Sequence, residues 1–362
     1  MIFNLMNGMM KTPILDSAYP ADASILNGES ATFQVIITED GMPDAYTYQW
    51  YVDGEAVIGE TRASFTYTAP ENATNYTISI SCAITNSAGT VWSRSAALSV
   101  KSHIPEFTYT GSYQVVNDRD GASSKTDVNW KVRLLTSGKL RFTDLRGAKD
   151  GIDVFLVGGG GGGSCGSWFD PSTGTDGRSG GGGGRTNTRR AVLVNKNTEY
   201  NIIVGAGGSG GTVNSPNGGT GGQSSAFGVT APGGGGGGNY IGGSGGSGGG
   251  TGNFSGSGWN SGMAGAGGSD GSDGGAGAGR GGKGQGTTTR EFGETANKLY
   301  AGGGGGESTN SGAAGGSGGG AAARATATAN TGGGGGGSVL GNSSGAYAGG
   351  GGSGIVIIRN KR

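Results

Sequence analysis

Between residues 12 and 101, apolar and polar positions alternate in short bursts separated by turn signals. Residues 31–38 (ATFQVIIT) place Phe33, Val35 and Ile37 on one face of a strand. Residues 46–52 (YTYQWYV) place Tyr48, Trp50 and Val52 inward, and Asp53-Gly54 then gives a tight turn. Residues 65–68, 76–85 and 96–100 read as further strands, and Asn27-Gly28, Asp40-Gly41 and Ala88-Gly89 as turns. Short strands at this spacing predict a β-sandwich.

The next pattern is different. Residues 107–116, 130–135, 139–142 and 152–157 (IDVFLV) are short and β-rich, with a polar loop over 118–126. Strand patterns recur at 191–194 (AVLV), 200–204 (YNIIV) and, after some 150 glycine-rich residues, 355–358 (IVII). A buried-type strand at that point implies that the chain returns to the sheet it left at Val157. The chain has 89 glycines, against an average usage of roughly 7%, a bias that usually signals low complexity. The returning strand argues against disorder, as do near-pure runs of similar length at 158–163, 180–184, 233–238, 302–306, 332–337 and 349–352. Between them lie runs diluted by Ser and Ala. Collagen is excluded, because there is no strict Gly-X-Y period and little proline. Polyproline-II-type helices remain. They have three residues per turn and no internal hydrogen bonds, so glycine chains packed side by side can bond to one another.

Two resemblances follow. Residues 27–33 (NGESATF), 48–51 (YQWY) with Asp53-Gly54, and 82–89 (CAITNSAG) resemble bacterial and phage immunoglobulin-like domains, whose tryptophan fills the core. The sequence departs from that pattern in two places. No cysteine opposes Cys82, because Phe33 and Val35 stand where it would be, and Ile80 replaces the tyrosine of a tyrosine corner. Cys82 then serves as a small buried hydrophobe. Residues 152–163, 200–208, 231–238 and 349–359 resemble the glycine-rich domain of phage tail proteins. That family's tail-fibre-tip adhesins grip host receptors with loops between glycine helices. The expected fold class is all-β: an immunoglobulin-like β-sandwich followed by a β-sandwich base carrying a packed bundle of polyglycine-II helices. The boundaries read as an N-terminal segment 1–11, the sandwich 12–101, a β-rich base with the first glycine hairpin 102–204, the bundle 205–354 and the returning strand 355–362.

If the runs go out and back alternately, the outer turns are 164–179, 212–217, 239–241, 269–273, 307–311 and 338–348. The receptor-binding candidates on them are Trp168, Phe169, Asp170, Asn239, Tyr240, Asn342 and Tyr347. Trp168 and Phe169 have an alternative role, folding back to cap a bundle that has no side chains of its own. Phe254, Trp259, Phe292 and Tyr300 fall on the base side. Asp270 and Asp273 lack the remaining oxygens of a calcium loop and read as turn residues.

Charge and chemistry then narrow the function. The 25 basic and 25 acidic residues leave no field for nucleic acid, and no apolar run is long enough to span a membrane. One histidine and two cysteines leave little for metal sites or nucleophile–base pairs. A Cys82–Cys165 bond is formally available, but the two fall in different domains. The G-x-G-x-x-G matches follow from glycine abundance and open no βαβ unit. The expectation is a protein that is not an enzyme and uses no cofactor or metal. Residues 1–11 (MIFNLMNGMMK) do not read as a signal peptide, which suits a virion part that assembles in the cytoplasm and becomes extracellular on lysis. The expected partners are a bacterial surface receptor, protein or glycan, and other phage tail proteins. Trimeric and monomeric tips both carry such domains, so a homo-oligomer stays open. The alternatives are a purely structural tail or capsid-decoration protein and a bacterial surface adhesin.

Overall fold

The computed structural model describes residues 11–39, 45–70, 75–102, 106–117, 130–145, 148, 150–166, 177–252, 265–267, 272–275, 280–282, 289–308, 311–339 and 347–360. The chain is all-β apart from one short 3-10 turn, Glu291–Gly293. It divides at Ile104/Pro105 into two compact units.

The first unit contains strands β1 (Ile14–Leu15), β2 (Ala23–Leu26), β3 (Ser30–Gln34), β4 (Ile37–Glu39), β5 (Thr47–Val52), β6 (Glu55–Ala56), β7 (Ser64–Thr68), β8 (Tyr76–Asn86), β9 (Gly89–Trp92) and β10 (Ala96–Lys101). A six-stranded sheet runs β2-β10-β8-β5-β6 with β9 on β8, and β3 pairs with β7 separately. All these pairs are antiparallel except β10 with β2. Both sheets feed one core, in which Phe33, Phe65, Ile80, Cys82 and Leu98 surround a fully buried Trp50. The Trp50 ring stacks on Phe65 at 5.7 Å, and its Nε1 donates to the Arg62 carbonyl at 2.8 Å. The alternation over 31–38 predicts one strand, but the chain forms two. At Val35 and Ile36 it leaves β7 for β1. The Val35 N–H donates to Ala63, and the Ile36 carbonyl accepts from Asp16. Val35 stays in the core through the change of partner. Trp50→Ala is expected to destabilise this unit by about 3–5 kcal/mol, read as a lowered denaturation midpoint with an unchanged m-value.

The second unit has two larger sheets. One joins β11 (Phe107–Tyr109), β14 (Gly138–Phe142) and β17 (Glu199–Ile202). The other has five strands in the order β12 (Tyr113–Asn117), β13 (Trp130–Leu134), β22 (Ile355–Arg359), β15 (Ile152–Val157) and β16 (Thr186–Val192). Its β22 sits between β13 and β15, pairing Ile355 with Val157. This central position explains why IVII reads as a buried strand. Residues 107–116, read from sequence as one β-rich stretch, form two strands in different sheets. Gly111 lies in the corner between them, where a Cβ would meet the Tyr109 ring and two carbonyls. The edge strand also starts earlier than AVLV suggests, because β16 is built from the polar TNTRRAV and takes its pairing from β15.

The five-stranded sheet is covered on one face by the segment between two glycine runs. Phe292 and Tyr300 pack on Phe155 at 5.9 and 5.4 Å. The hairpin β18 (Ser224–Ala226) and β19 (Val229–Ala231) lies alongside, and β20 (Glu307–Ser308) pairs with β21 (Ser311–Gly312).

Glycine passes connect these strands, and their hydrogen bonds repeat every three residues. Gly158, Gly161 and Ser164 donate to Arg185, Gly182 and Ser179. Gly159 and Gly162 donate to Gly222 and Gly219, and Gly160 and Gly163 to Gly352 and Gly349. In the other direction, Gly234 and Gly237 donate to Gly159 and Gly162, Gly208 and Gly211 to Gly160 and Gly163, and Gly335 to Gly161. Passes that accept from 158–163 run opposite to it, and passes that donate to it run with it. The 158–163 pass is thereby enclosed on all sides.

The same bonds correct the expected alternation. Residues 242–250 are two passes. Gly243 and Gly246 donate to Gly180 and Gly183, so 242–246 runs back, whereas Gly180 and Gly183 donate to Gly250 and Ser247, so 247–252 runs outward. Residues 265–267 then run back, because Gly265 meets Gly249 and Ala266 meets Gly245. Gly248 and Thr251 donate to Ser272 and Gly275, so 272–275 runs outward and Ser272 starts it near the base. Ser272 and Asp273 are therefore not on an outer turn, and the rest of the 269–273 stretch lies outside the described residues. Similarly, 320–324 runs outward beside 334–337 and 325–328 runs back beside 349–352. That pair was missed because AAARATATAN holds no glycine run. Each error adds passes in pairs, so 302–306 and 332–337 still point outward.

Candidate functional site

The connections after Gly163, Gly211, Gly238, Gly306 and Gly337 lie together at the end of the bundle away from the sheets. A buried polar layer closes that end. The Ser164 hydroxyl donates to the Gly238 carbonyl at 2.8 Å and accepts from the Ser179 N–H at 2.9 Å. Arg178 and Glu307 exchange backbone hydrogen bonds, and Arg178 Nη1 donates to Asn239 Oδ1 at 3.0 Å. The Glu307 carboxylate takes the Val339 N–H at 2.7 Å on one oxygen and Arg324 Nε at 2.6 Å on the other. Pass ends leave backbone groups without neighbours, and a nearly dry layer must satisfy them. These charges do that, so their role is to close the bundle.

Above this layer the surface changes character. Val213, Tyr240, Ile241 and Tyr347 are 39%, 40%, 53% and 67% exposed, so large apolar side chains face solvent on three far-end turns. The turns converge on the end of the axial pass. Cys165 donates its N–H to Pro216, Ala348 donates to Gly211, and Ser164 reaches Gly238. The turns are therefore tied by hydrogen bonds to one another and to the passes beneath them.

A second charged cluster sits at the base. Lys131 Nζ meets Glu291 at 2.7 Å, Arg133 approaches the same carboxylate at 3.6 Å, and the Tyr300 hydroxyl donates to it at 3.2 Å. Arg359 pairs with Glu294 at 2.6 Å and Asp153 at 3.4 Å, and lies 3.8 Å above the Phe292 ring. Every carboxylate here is engaged by a cation. The cluster pins the covering segment to β13, β15 and β22. Among the described residues, no group of three His, Cys, Asp or Glu side chains converges to hold a metal ion.

The arrangement that defines the molecule is thus a glycine bundle growing from β15 and returning through β22. The profile of the glycine-rich domain family matches residues 136–361. The chain belongs to that family. No curated protein matches the chain. The glycine-rich domain so delimited starts inside the second unit. Strands β11, β12 and β13 precede it, yet β11 pairs with β14 and β13 with β22.

Within the glycine-rich domain, the candidate residues separate. Asn239 and Tyr240 stand at the far end, with Asn239 tied to Arg178, and Tyr347 is the most exposed aromatic there among the described residues. Trp168, Phe169, Asp170 and Asn342 lie outside the described residues, as do Asp270, Phe254 and Trp259. The last two had been assigned to the base side. Asp273 accepts from the Gly267 N–H at 2.7 Å. Sequence reasoning missed Val213 and Ile241, single apolar residues in polar turns, and it missed both charged clusters, whose partners are far apart in the chain.

Neither cysteine is in a disulfide, and both are buried. Burial pushes the Cys82 thiol up to about 11. Burial also raises Cys165, against the lowering effects of Arg178 and the Ala348 N–H. Only the thiolate reacts, and at pH 8 a thiol of pKa about 11 is ionised in roughly one molecule in a thousand. A thiol reagent at pH 8 is expected to modify neither cysteine in the folded protein and both in denaturant. Rapid modification of either in the folded state would contradict the buried placement.

Proposed function

We propose that the chain is a virion protein of a phage tail, a receptor-binding adhesin whose far-end turns recognise the bacterial host surface. The observation that carries this reading is the far end itself, where Val213, Tyr240, Ile241 and Tyr347 are exposed on turns converging over a sealed polar layer. Exposed aromatic and apolar side chains on rigid supports are typical of recognition surfaces. A scaffold serving only as a spacer has no need of them.

On this reading the glycine passes are polyglycine-II helices. The three-residue hydrogen-bond period supports this, since such helices have three residues per turn. A six-residue pass then reaches roughly 19 Å at about 3.1 Å per residue. The first unit is an immunoglobulin-like sandwich that spaces or attaches the display domain. Its two sheets around Trp50 and the parallel β10–β2 pair support that assignment. The partners are a protein or glycan of the host surface at the far end and other tail proteins elsewhere.

The test is binding of fluorescently labelled protein to candidate host cells. A variant carrying Val213→Ser, Tyr240→Ser, Ile241→Ser and Tyr347→Ser keeps its fold, because all four side chains are exposed. It is expected to lose at least tenfold in affinity. Wild-type protein that binds no plausible host, or a variant that binds as well as wild type, would overturn the proposal.

A further inference from the structure

The side of the base holds a groove that the far-end reading does not use. It opens between the outer edge of β16 and the hairpin β18–β19, and has a volume of about 430 Å³. That falls within the range of about 300–1,000 Å³ common for ligand sites. One wall carries Asn187, Arg189 and Arg190, and the other Phe227, Gly228 and Thr230. The two walls are stitched together at one end only. The Arg185 N–H donates to Pro232 at 2.9 Å, and Asn187 Nδ2 donates to the Thr230 carbonyl at 2.9 Å. Past Asn187 the strands part. Each wall is an edge strand with a single ladder partner, β15 for β16 and β18 for β19.

The charge on this groove is one-sided. No acidic residue is among the described residues lining it. Arg190 is committed to Asp153 at 3.2 Å and to the Phe292 carbonyl at 2.9 Å. Arg189 is exposed and makes no ion pair among the described residues. The backbone is also shaped around the groove. Arg190 and Ala191 together oppose the single Asp153, which is a β-bulge, and the Asp153 carboxylate takes the Ala191 N–H at 3.1 Å. Ala191 and Phe227, both lining the groove, have φ of +52° and +51°. Phe227 with Gly228 makes the two-residue hairpin turn, and Ala191 sits in the bulge, so the turn and the bulge set the shape of the two walls.

We infer that this groove binds an extended acidic peptide segment of a partner protein, laid against the free edge of β16 with a carboxylate on Arg189. Strand addition to an exposed edge draws its affinity from main-chain hydrogen bonds, and its selectivity from side chains spaced two residues apart. Here Arg189 supplies the selectivity and the parted walls supply the space. An edge protected only against unwanted pairing needs charge alone. It needs neither a groove nor a second strand held beside it by Asn187.

The probe is a labelled, end-capped octapeptide of alternating Glu and Thr, measured by fluorescence anisotropy on the full chain. It is expected to bind saturably and to weaken with salt. Arg189→Ala is expected to reduce its affinity at least tenfold, with Arg189→Lys recovering part of the loss. Hydrogen exchange of the 186–192 segment slows on binding to wild type and not to Arg189→Ala. The side chain is exposed, so both variants are expected to fold, and an unchanged circular dichroism spectrum is the check. Equal binding of a Lys–Thr octapeptide, unchanged affinity in Arg189→Ala, or no binding of the Glu–Thr probe would overturn the inference. Displacement of the probe by free glutamate at equimolar concentration would also overturn it, because the groove would then take a lone carboxylate.

Discussion

Gly161→Ala is expected to lower the melting temperature of the second unit by about 10 °C, while Gly350→Ala leaves it nearly unchanged. A methyl at Gly161 would overlap the Gly235 carbonyl group. The neighbouring backbone has nowhere to retreat, because Gly182, Gly335 and Gly237 are themselves bonded into the passes around it. Overpacking of this kind costs about 3 kcal/mol or more when the surroundings cannot relax, and each kcal/mol moves the melting point of a unit this size by roughly 2–4 °C. At Gly350 the nearest atom to an added Cβ is the Gly208 carbonyl oxygen at 3.5 Å, an ordinary contact. Both substitutions remove one glycine and have the same helix and strand propensity. A difference between them therefore measures packing. Equal melting points would mean that the passes are not closely bonded.

Glu291→Ala is expected to cost the second unit about 3–5 kcal/mol, the usual penalty for breaking a buried ion pair. The Lys131 and Glu291 side chains are 2% and 0% exposed, so removing the carboxylate takes from a buried ammonium the counter-charge that stands 2.7 Å away. Arg133 and the Tyr300 hydroxyl lose the same partner. Replacing Lys131 and Glu291 together by methionine is expected to recover most of the loss, because two apolar side chains of similar volume need no pairing. Urea unfolding of the two variants measures both effects. A loss below about 1 kcal/mol in Glu291→Ala would show that the segment bearing Phe292 and Tyr300 is not held down by this pair.

Much of the fold is legible in the chain, for reasons that differ by region. Trp50, Phe33 and Cys82 announce a sandwich core because alternation has a short period and each strand shows it locally. The returning strand IVII is legible because a strand between two others must be apolar on both faces. Its sheet partners, by contrast, are more than a hundred residues away.

The bundle is only half legible. Pure glycine runs mark the passes enclosed on every side, such as 158–163. Passes at the surface tolerate a side chain at every third position, where it points to solvent. Ala206 and Ser209 are exposed between buried Gly205, Gly208 and Gly211, and Asn217, Thr220 and Gln223 repeat the spacing. This local Gly-Gly-X triplet is the signal that separates peripheral from central passes, and a search for one strict period along the whole chain overlooks it. Counting runs fails where two passes share one stretch, as in 242–250, or where a pass has lost its glycines, as in 320–328. A bend of glycine and serine leaves no mark in composition. The far-end apolar residues were partly visible, since Tyr240 and Tyr347 stand out in polar turns. Val213 and Ile241 become meaningful only when the three turns are seen to meet.

On the proposed function, contact with the host is made by the far end of the glycine bundle. Hydroxyl-radical footprinting of the protein bound to host cells tests it most directly, because exposed aromatic residues exist elsewhere for comparison. Tyr240 and Tyr347 are 40% and 67% exposed at the far end, and Trp92 is 57% exposed on the first unit. Binding is expected to protect Tyr240 and Tyr347 from oxidation and to leave Trp92 as reactive as in the free protein. Protection of Trp92 with Tyr240 and Tyr347 unaffected would contradict it and place the contact on the first unit.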